Sequence, residues 1–345
     1  MSKVVDVIRK LKPNIKEKTL KNYVSSYNVC IKFFKDSDYL KKPKDVLKFY
    51  KDRYPKVTTR KTNLHAQAML ARAYNHLGSE KIFLQEAKKI EDSLNKEKEK
   101  LLEEVMKNPP SPIKASSNDV ILNFDLVKDK FSKQEILVNS FYDSKKNTYT
   151  IKQLKEISKL AIMALYASSF FENDLYKASN PPRRLEYRFL KYHEGRLKKI
   201  DNDSNFNYLH KPNRKINAYR FIFNRYKAKA FSAHGVQKLT VNSKLKNILK
   251  IYVRTHKKLL EENGLLFAQN MYNTQDQKLY EDAQWSKKIK SYFGININDI
   301  RKAFVTKTYS QPNLPQTIVL QALAKKMGHS LITALNEYRK TPKLI

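Results

Sequence analysis

The sequence predicts a mainly α protein with one small antiparallel β-hairpin or sheet, an α+β chain in two domains. Three observations carry that expectation. Apolar residues recur at three- and four-residue steps over most of the chain. Only 6 of the 345 residues are glycine. At 108–119 the stretch NPPSPIKASSND gathers three prolines with small polar residues, the composition of an interdomain linker. The expected division is a helical domain over 1–108, a linker over 109–119, read more widely to 147, and a second domain over 120–345.

The first domain reads as helical throughout. Val4, Val5, Val7 and Ile8 open a short amphipathic segment. Over 19–34, Leu20, Tyr23, Val24, Tyr27 and Ile31 share a face. Pro43 starts another helix with Val46, Leu47 and Tyr50 inward. After Pro55, threonines are expected to cap a helix whose face is Leu64, Ala68, Leu70 or Ala71, and Tyr74, with Gly78 ending it. Lys16, Lys18, Lys21, Arg60 and Lys61 stud the outer faces. Residues 80–107 form a long charged helix whose alternating signs read as a solvated face.

In the second domain, 120–147 reads as two short helices or an extension of the linker. A helix over 150–170 has a nearly all-apolar second half and belongs in a core. Next, SNPPRRLEYRFLKY is expected to halt at its prolines and begin a new helix. That would put Arg183 and Arg184 in a first turn, where anions are favoured. Strand signals follow in NFNYLHK and in NAYRFIFNRY, with VQKLTVN pairing back. Lys227 and Lys229 sit at the tip of that element or just past its strand end. A helix starts at Lys244, residues 273–283 read as a polar loop or helix start, and Trp285 to Phe293 is helical. A further helix is capped by Asn298 or Asp299, with Arg301 in its first turn.

The chain ends on a helix stop. Leu314 to Lys326 has Ile318, Leu320, Leu323, Ala324 and Met327 at helical spacing. Gly328 suits the left-handed position past a helix end. Ser330 can cap a second helix running through Tyr338, with Leu331, Ala334, Leu335 and Tyr338 on one face.

Charge narrows the partners. There are 69 Lys and Arg against 33 Asp and Glu, a formal +36, spread through segments that also hold 21 tyrosines and 17 phenylalanines. A folded surface this positive calls for a polyanion; nucleic acid leads and an anionic membrane surface is the competitor. The sequence has no apolar run long enough for a transmembrane helix. The N-terminus is too charged for a secretory signal. One cysteine, Cys30, excludes an internal disulfide framework or a cysteine zinc site and fits a reducing intracellular compartment. Only 14 of the 69 basic residues are arginine. Arg301 stands alone among lysines, which marks it as chosen for its planar, bidentate fork.

Taken in order, Arg183, Lys227, Arg301, Gly328-His329-Ser330 and Tyr338 resemble the tyrosine recombinases, or phage integrase family. The G-H-S motif stands nine positions before the tyrosine, as in that family. PPRRLEY resembles the family's first arginine box, with Arg183 as its arginine and Glu186 as its acid; Arg184 is a one-residue alternative. RYKAKAF followed by G-x-Q-x-L resembles the hairpin-lysine region, with Lys227 the better match and Lys229 the second. The resemblance covers roughly 149–345, and more loosely 15–78, which is similar to the family's SAM-like core-binding domain. The Pro-Pro-Arg-Arg box and the lysine- and asparagine-rich composition resemble recombinases of large DNA viruses, virophages and related mobile elements. One position departs: the family's His-x-x-Arg is here Asn298-Asp299-Ile300-Arg301. Asparagine can donate to a phosphoryl oxygen but is no base at neutral pH.

The resemblance implies site-specific recombination or integration of double-stranded DNA through a 3′-phosphotyrosine intermediate, without metal, ATP or another cofactor. Tyr338 would attack, Arg183 and Arg301 would clamp the phosphoryl oxygens, His329 and Asn298 would donate further hydrogen bonds, and Lys227 would protonate the leaving 5′-oxygen. Arg60, Lys61, Lys21, Arg184 and Lys229 are candidate DNA contacts. The resemblance also implies a homotetramer on paired sites, formed from free monomers or dimers. It places the protein inside the cell with DNA: the host nucleus or viral factory if viral, the cytoplasm if prokaryotic. A type IB topoisomerase-like enzyme and a catalytically idle DNA-binding protein are the alternatives.

Overall fold

The computed structural model of the chain describes residues 2–15, 17–36, 38–107, 118–196, 203, 205–212, 218–226, 235–272, 277–310 and 316–334. As expected, the chain is mainly helical with a small sheet, which has four strands among the described residues. It divides into two compact units, residues 1–103 and 104–345. Among the described residues no helix is long and apolar enough to cross a membrane.

The first unit contains α1 (Ser2–Leu11), α2 (Glu17–Phe34), α3 (Pro43–Arg53), α4 (Val57–Ala73) and most of α5 (Leu77–Lys107). Val4, Ile8, Leu20, Val46, Tyr50 and Leu64 are buried together, as their spacing predicts. Pro43 takes the first position of α3, where its missing N–H has no helical partner to lose. At the centre Gln67, fully buried, donates to Ser26 Oγ at 3.0 Å and Tyr50 Oη at 2.8 Å. It accepts from Tyr39 Oη at 2.8 Å. One amide therefore ties α2, α3, α4 and the short turn Tyr39–Lys41 into a single core.

Two boundaries in this unit differ from expectation. The residue before α4 is Lys56, which caps with no side-chain bond, and Thr58 and Thr59 lie inside the first turn. That helix ends at Tyr74, before Gly78: Asn75 takes the left-handed conformation (φ 62°), and His76 N–H bonds back to Ala71 O at 2.7 Å. Asparagine tolerates this region by local side-chain polarity, so it does glycine's work here. Gly78 falls in the first turn of α5.

In the second unit, residues 118–139 form one 22-residue helix, α6 (Asn118–Asn139). This replaces both the two short helices and the wider linker reading to 147; residues 108–117 lie outside the described residues. α7 (Ile151–Ala167) begins on a Thr150–Gln153 capping box, and every residue from Leu160 to Ala167 is buried. It is packed by α6 and by α8 (Ser243–Thr255), while α11 (Ile297–Tyr309) lies against α6. α9 (Lys257–Asn263), α10 (Asp282–Phe293) and α12 (Thr317–Lys326) complete the unit with a helical turn at Leu331–Thr333. On α12, Leu320, Leu323 and Ala324 are buried as expected, but Ile318 is 67% exposed.

The sheet runs β1 (Leu190–Glu194), β2 (Asn207–Lys211), β3 (Arg220–Phe223), β4 (Gln237–Thr240) in spatial as in chain order. The β2–β3 and β3–β4 pairs are antiparallel, with Phe221 opposite both Leu209 and Leu239. β1 is the element the sequence missed. It lies parallel to β2, Leu190 opposite Asn207, and is bridged on its other side by Tyr192 N–H to Gly264 O and Leu266 N–H to Leu190 O. LKYHE carries no strong strand pattern; partners on both sides impose the conformation. The expected helix after Pro181-Pro182 is absent for the same reason. The chain there passes through a four-residue 3₁₀ turn, Glu186–Phe189, straight into β1.

Candidate active site

The site is assembled on the C-terminal end of α12. That end closes as the sequence predicts: Gly328 is left-handed (φ 74°), His329 N–H bonds to Ala324 O at 3.1 Å, and Gly328 N–H to Lys325 O at 2.9 Å. Outside donors also reach the carbonyls of this end, and two arginines take consecutive ones. Arg183 Nη1 donates to Lys326 O at 2.6 Å, and Arg301 Nη1 to Met327 O at 3.3 Å. The negative pole of the helix thus receives two guanidinium groups on consecutive residues.

Arg183 is completely buried. Pro181 and Pro182 lead into it without helical structure, so it does not stand at the helix N-terminus the sequence implied. The backbone of the next residue is held by a relay, Trp285 Nε1–H to Tyr166 Oη at 2.8 Å and Tyr166 Oη–H to Arg184 O at 2.9 Å. Glu186 folds back to accept the Arg184 and Leu185 N–H groups at 2.8 and 2.9 Å. The guanidinium lies 4.0 Å from the Phe223 ring and 5.3 Å from that of Tyr226. Nη1 also donates to Gln237 Oε1 at 2.8 Å, while among the described residues Nε and Nη2 have no hydrogen-bond partner. Among the described residues no carboxylate oxygen comes within 4.0 Å of its nitrogens. Burial pulls its pKa below the ordinary arginine value; the charge of Glu186 opposes that pull, and Arg301 adds to it. Two buried guanidinium groups near one another lower each other's affinity for a proton, and the Arg183 site carries that cost.

Arg301, also buried, stands in the second turn of α11. The cap of that helix is Asn296, whose Oδ1 accepts from Asp299 N–H, so neither Asn298 nor Asp299 caps it. Asn298 is exposed one turn before Arg301. His329 is buried, with Nδ1–H donating to Ser330 O at 3.0 Å. Ser330 Oγ accepts from Thr333 N–H at 3.2 Å, the expected cap. Tyr338, Lys227 and Lys229 lie outside the described residues.

The structure therefore brings Arg183, Arg301 and His329 together from three distant parts of the chain. Arg184 is exposed beside them. In the first unit, Lys21 is exposed, Lys61 pairs with Glu91 at 2.7 Å, and Arg60 is half-buried. Two contributors drew no role from the sequence. Lys326 Nζ donates to Ala178 O at 2.9 Å, and burial lowers its pKa. Gln237 is 4% exposed at the start of β4. Its signal was its place as the glutamine of G-x-Q-x-L, a polar residue on the inward phase of a strand two positions before Leu239.

Comparison with protein-family models, curated proteins and solved structures gives no match to this chain.

Proposed function

We propose that the chain is a tyrosine-type site-specific DNA recombinase. The observation that supports this reading best is the convergence of Arg183 and Arg301 on successive carbonyls directly ahead of His329. In phosphoryl transfer the charge gathers on non-bridging oxygens, and preorganised cations aimed there lower the barrier. The unused Nε and Nη2 of Arg183 are donors of that kind. Tyr338 is the proposed nucleophile, with His329 and Asn298 as further donors. Lys227, or Lys229, is the proposed acid for the leaving 5′-oxygen. The formal charge of +36 supports double-stranded DNA as the partner, with affinity falling steeply as salt rises.

A nicked suicide substrate tests the chemistry. Wild-type protein should give a covalent protein–DNA adduct on a denaturing gel, and Tyr338→Phe should give none while still shifting DNA on a native gel. An undiminished adduct in the variant would remove Tyr338 from the role. On intact DNA, products joined across two duplexes separate recombination from topoisomerase-like relaxation of supercoils.

A further inference from the structure

We propose that Gln237 is a positioning residue, a neutral two-ended clamp that fixes the Arg183 guanidinium against the end of α12 without cancelling its charge. The role in rate rests on the phosphoryl-transfer reading above. The clamp itself rests on three contacts.

The first is Oε1, which accepts from Arg183 Nη1 at 2.8 Å. The second is Nε2, which donates to Lys325 O at 3.1 Å. The third is register: Gln237 pairs with Phe223 across β3 and β4, and the Phe223 ring lies 4.0 Å from the same guanidinium. Only one amide orientation serves both hydrogen bonds. Reversed, the amide would set nitrogen against nitrogen and oxygen against oxygen.

With Lys326 O on its other hydrogen, Nη1 has both donors engaged. One corner of the fork is then pinned, and the remaining N–H groups are left aimed elsewhere. An amide does this at no electrostatic loss. A carboxylate at the same place would pair with Arg183 and weaken its hold on a phosphate. It would also turn an oxygen toward the Lys325 carbonyl. Among the described residues the hydrogen-bond acceptors of this buried guanidinium are neutral, the Gln237 amide and the Lys326 carbonyl, and the nearby Glu186 carboxylate favours its charged form without a direct ion pair.

The test uses the full chain with Gln237→Met, of similar length but making neither bond, and Gln237→Glu. Single-turnover cleavage of the nicked substrate is measured at saturating DNA, alongside DNA affinity and the melting temperature. Gln237→Met should cleave about 10- to 100-fold more slowly, the scale of a misplaced reacting group. Its DNA affinity should stay within about threefold, since phosphate contacts elsewhere dominate binding. Gln237→Glu should cleave more slowly still.

An independent readout follows the arginine itself. In ¹⁵N-arginine-labelled protein, Arg183 Nη protons, assigned by their loss in Arg183→Lys, should be resolved in the wild type and averaged in Gln237→Met. Wild-type cleavage by Gln237→Met, or unchanged Arg183 resonances, would overturn the proposal. So would losses of affinity and melting temperature that match the loss of rate, since they mark a merely structural residue. Equal rates for the two variants would overturn the argument from neutrality. If the wild-type protein forms no adduct, the phosphoryl-transfer reading fails, and the resonances still decide the clamp.

Discussion

The guanidinium of Arg183 occupies the space that a side chain on Gly328 would need: its Nη2 is 2.9 Å and its Cζ 3.4 Å from where a Cβ would stand. Glycine is required there twice, for the left-handed turn and for the closeness of the arginine. Gly294 ends α10 at a similar φ of 78° with nothing within 4 Å of its Cβ position. Gly294→Ala should therefore cost only the left-handed strain, about 1–2 kcal/mol. Gly328→Ala should cost more and should also slow covalent capture of DNA. Thermal unfolding of the two variants, with single-turnover cleavage beside it, separates strain from crowding.

Arginine-to-lysine changes sort the three site arginines. Arg183 and Arg301 use the guanidinium fork in buried positions, so Arg183→Lys and Arg301→Lys should each slow cleavage by about 10²- to 10³-fold. Arg184 is exposed, and Arg184→Lys should stay within about threefold, on the order expected for a surface phosphate contact. Cleavage at saturating DNA reads all three; a larger loss at Arg184 than at Arg183 would reassign the first arginine.

Gln67 is the keystone of the first unit. Gln67→Leu leaves Tyr39 Oη without the acceptor it now uses and takes the amide donor from Ser26 and Tyr50. The expected loss is about 2 kcal/mol, the cost of stranding a buried polar group. Urea unfolding of the full chain, followed by hydrogen exchange in α2 to α4, should show the loss concentrated there.

Acid should weaken the second unit through His256. Its Nδ1–H donates to Tyr252 O at 3.0 Å, and Nε2 faces Ser158 Oγ and Tyr272 Oη, each at 3.0 Å. Burial lowers its pKa from 6.5 to about 4. The folded form thus resists the proton that the unfolded chain accepts. The contribution is complete above 6.5 and is lost as pH falls toward 4. Between about pH 7 and about pH 5 the wild type should lose about 2 kcal/mol by this route. His256→Gln should flatten the slope in urea titrations at the two pH values.

Local signals explain which parts of this molecule were legible. The Pro43 start, the left-handed Gly328 and the Ser330 cap each depend on residues within one helical turn. Steric limits and nearby hydrogen bonds settle them before any tertiary contact forms. The inward faces of α1 to α4 were legible too, because a helical period survives wherever one side is wet. Even locally the reading slipped where two chemistries compete: Asn75 rather than Gly78 ends α4, and Asn296 rather than Asn298 or Asp299 caps α11.

The sequence by itself determined the helix stop that carries His329 and nominated the two arginines. The tertiary structure decided what those arginines touch. Arg183 meets Lys326 O from 143 residues away and Gln237 from 54, and Arg301 meets Met327 O from 26. No local pattern encodes such distances. They arise because burying the aromatic face of β3 brings Phe223 beneath Arg183, and because a dry guanidinium must find oxygen wherever the fold offers it. β1 has the same origin: a weak strand sequence takes that form because β2 and Leu266 bond it from both sides.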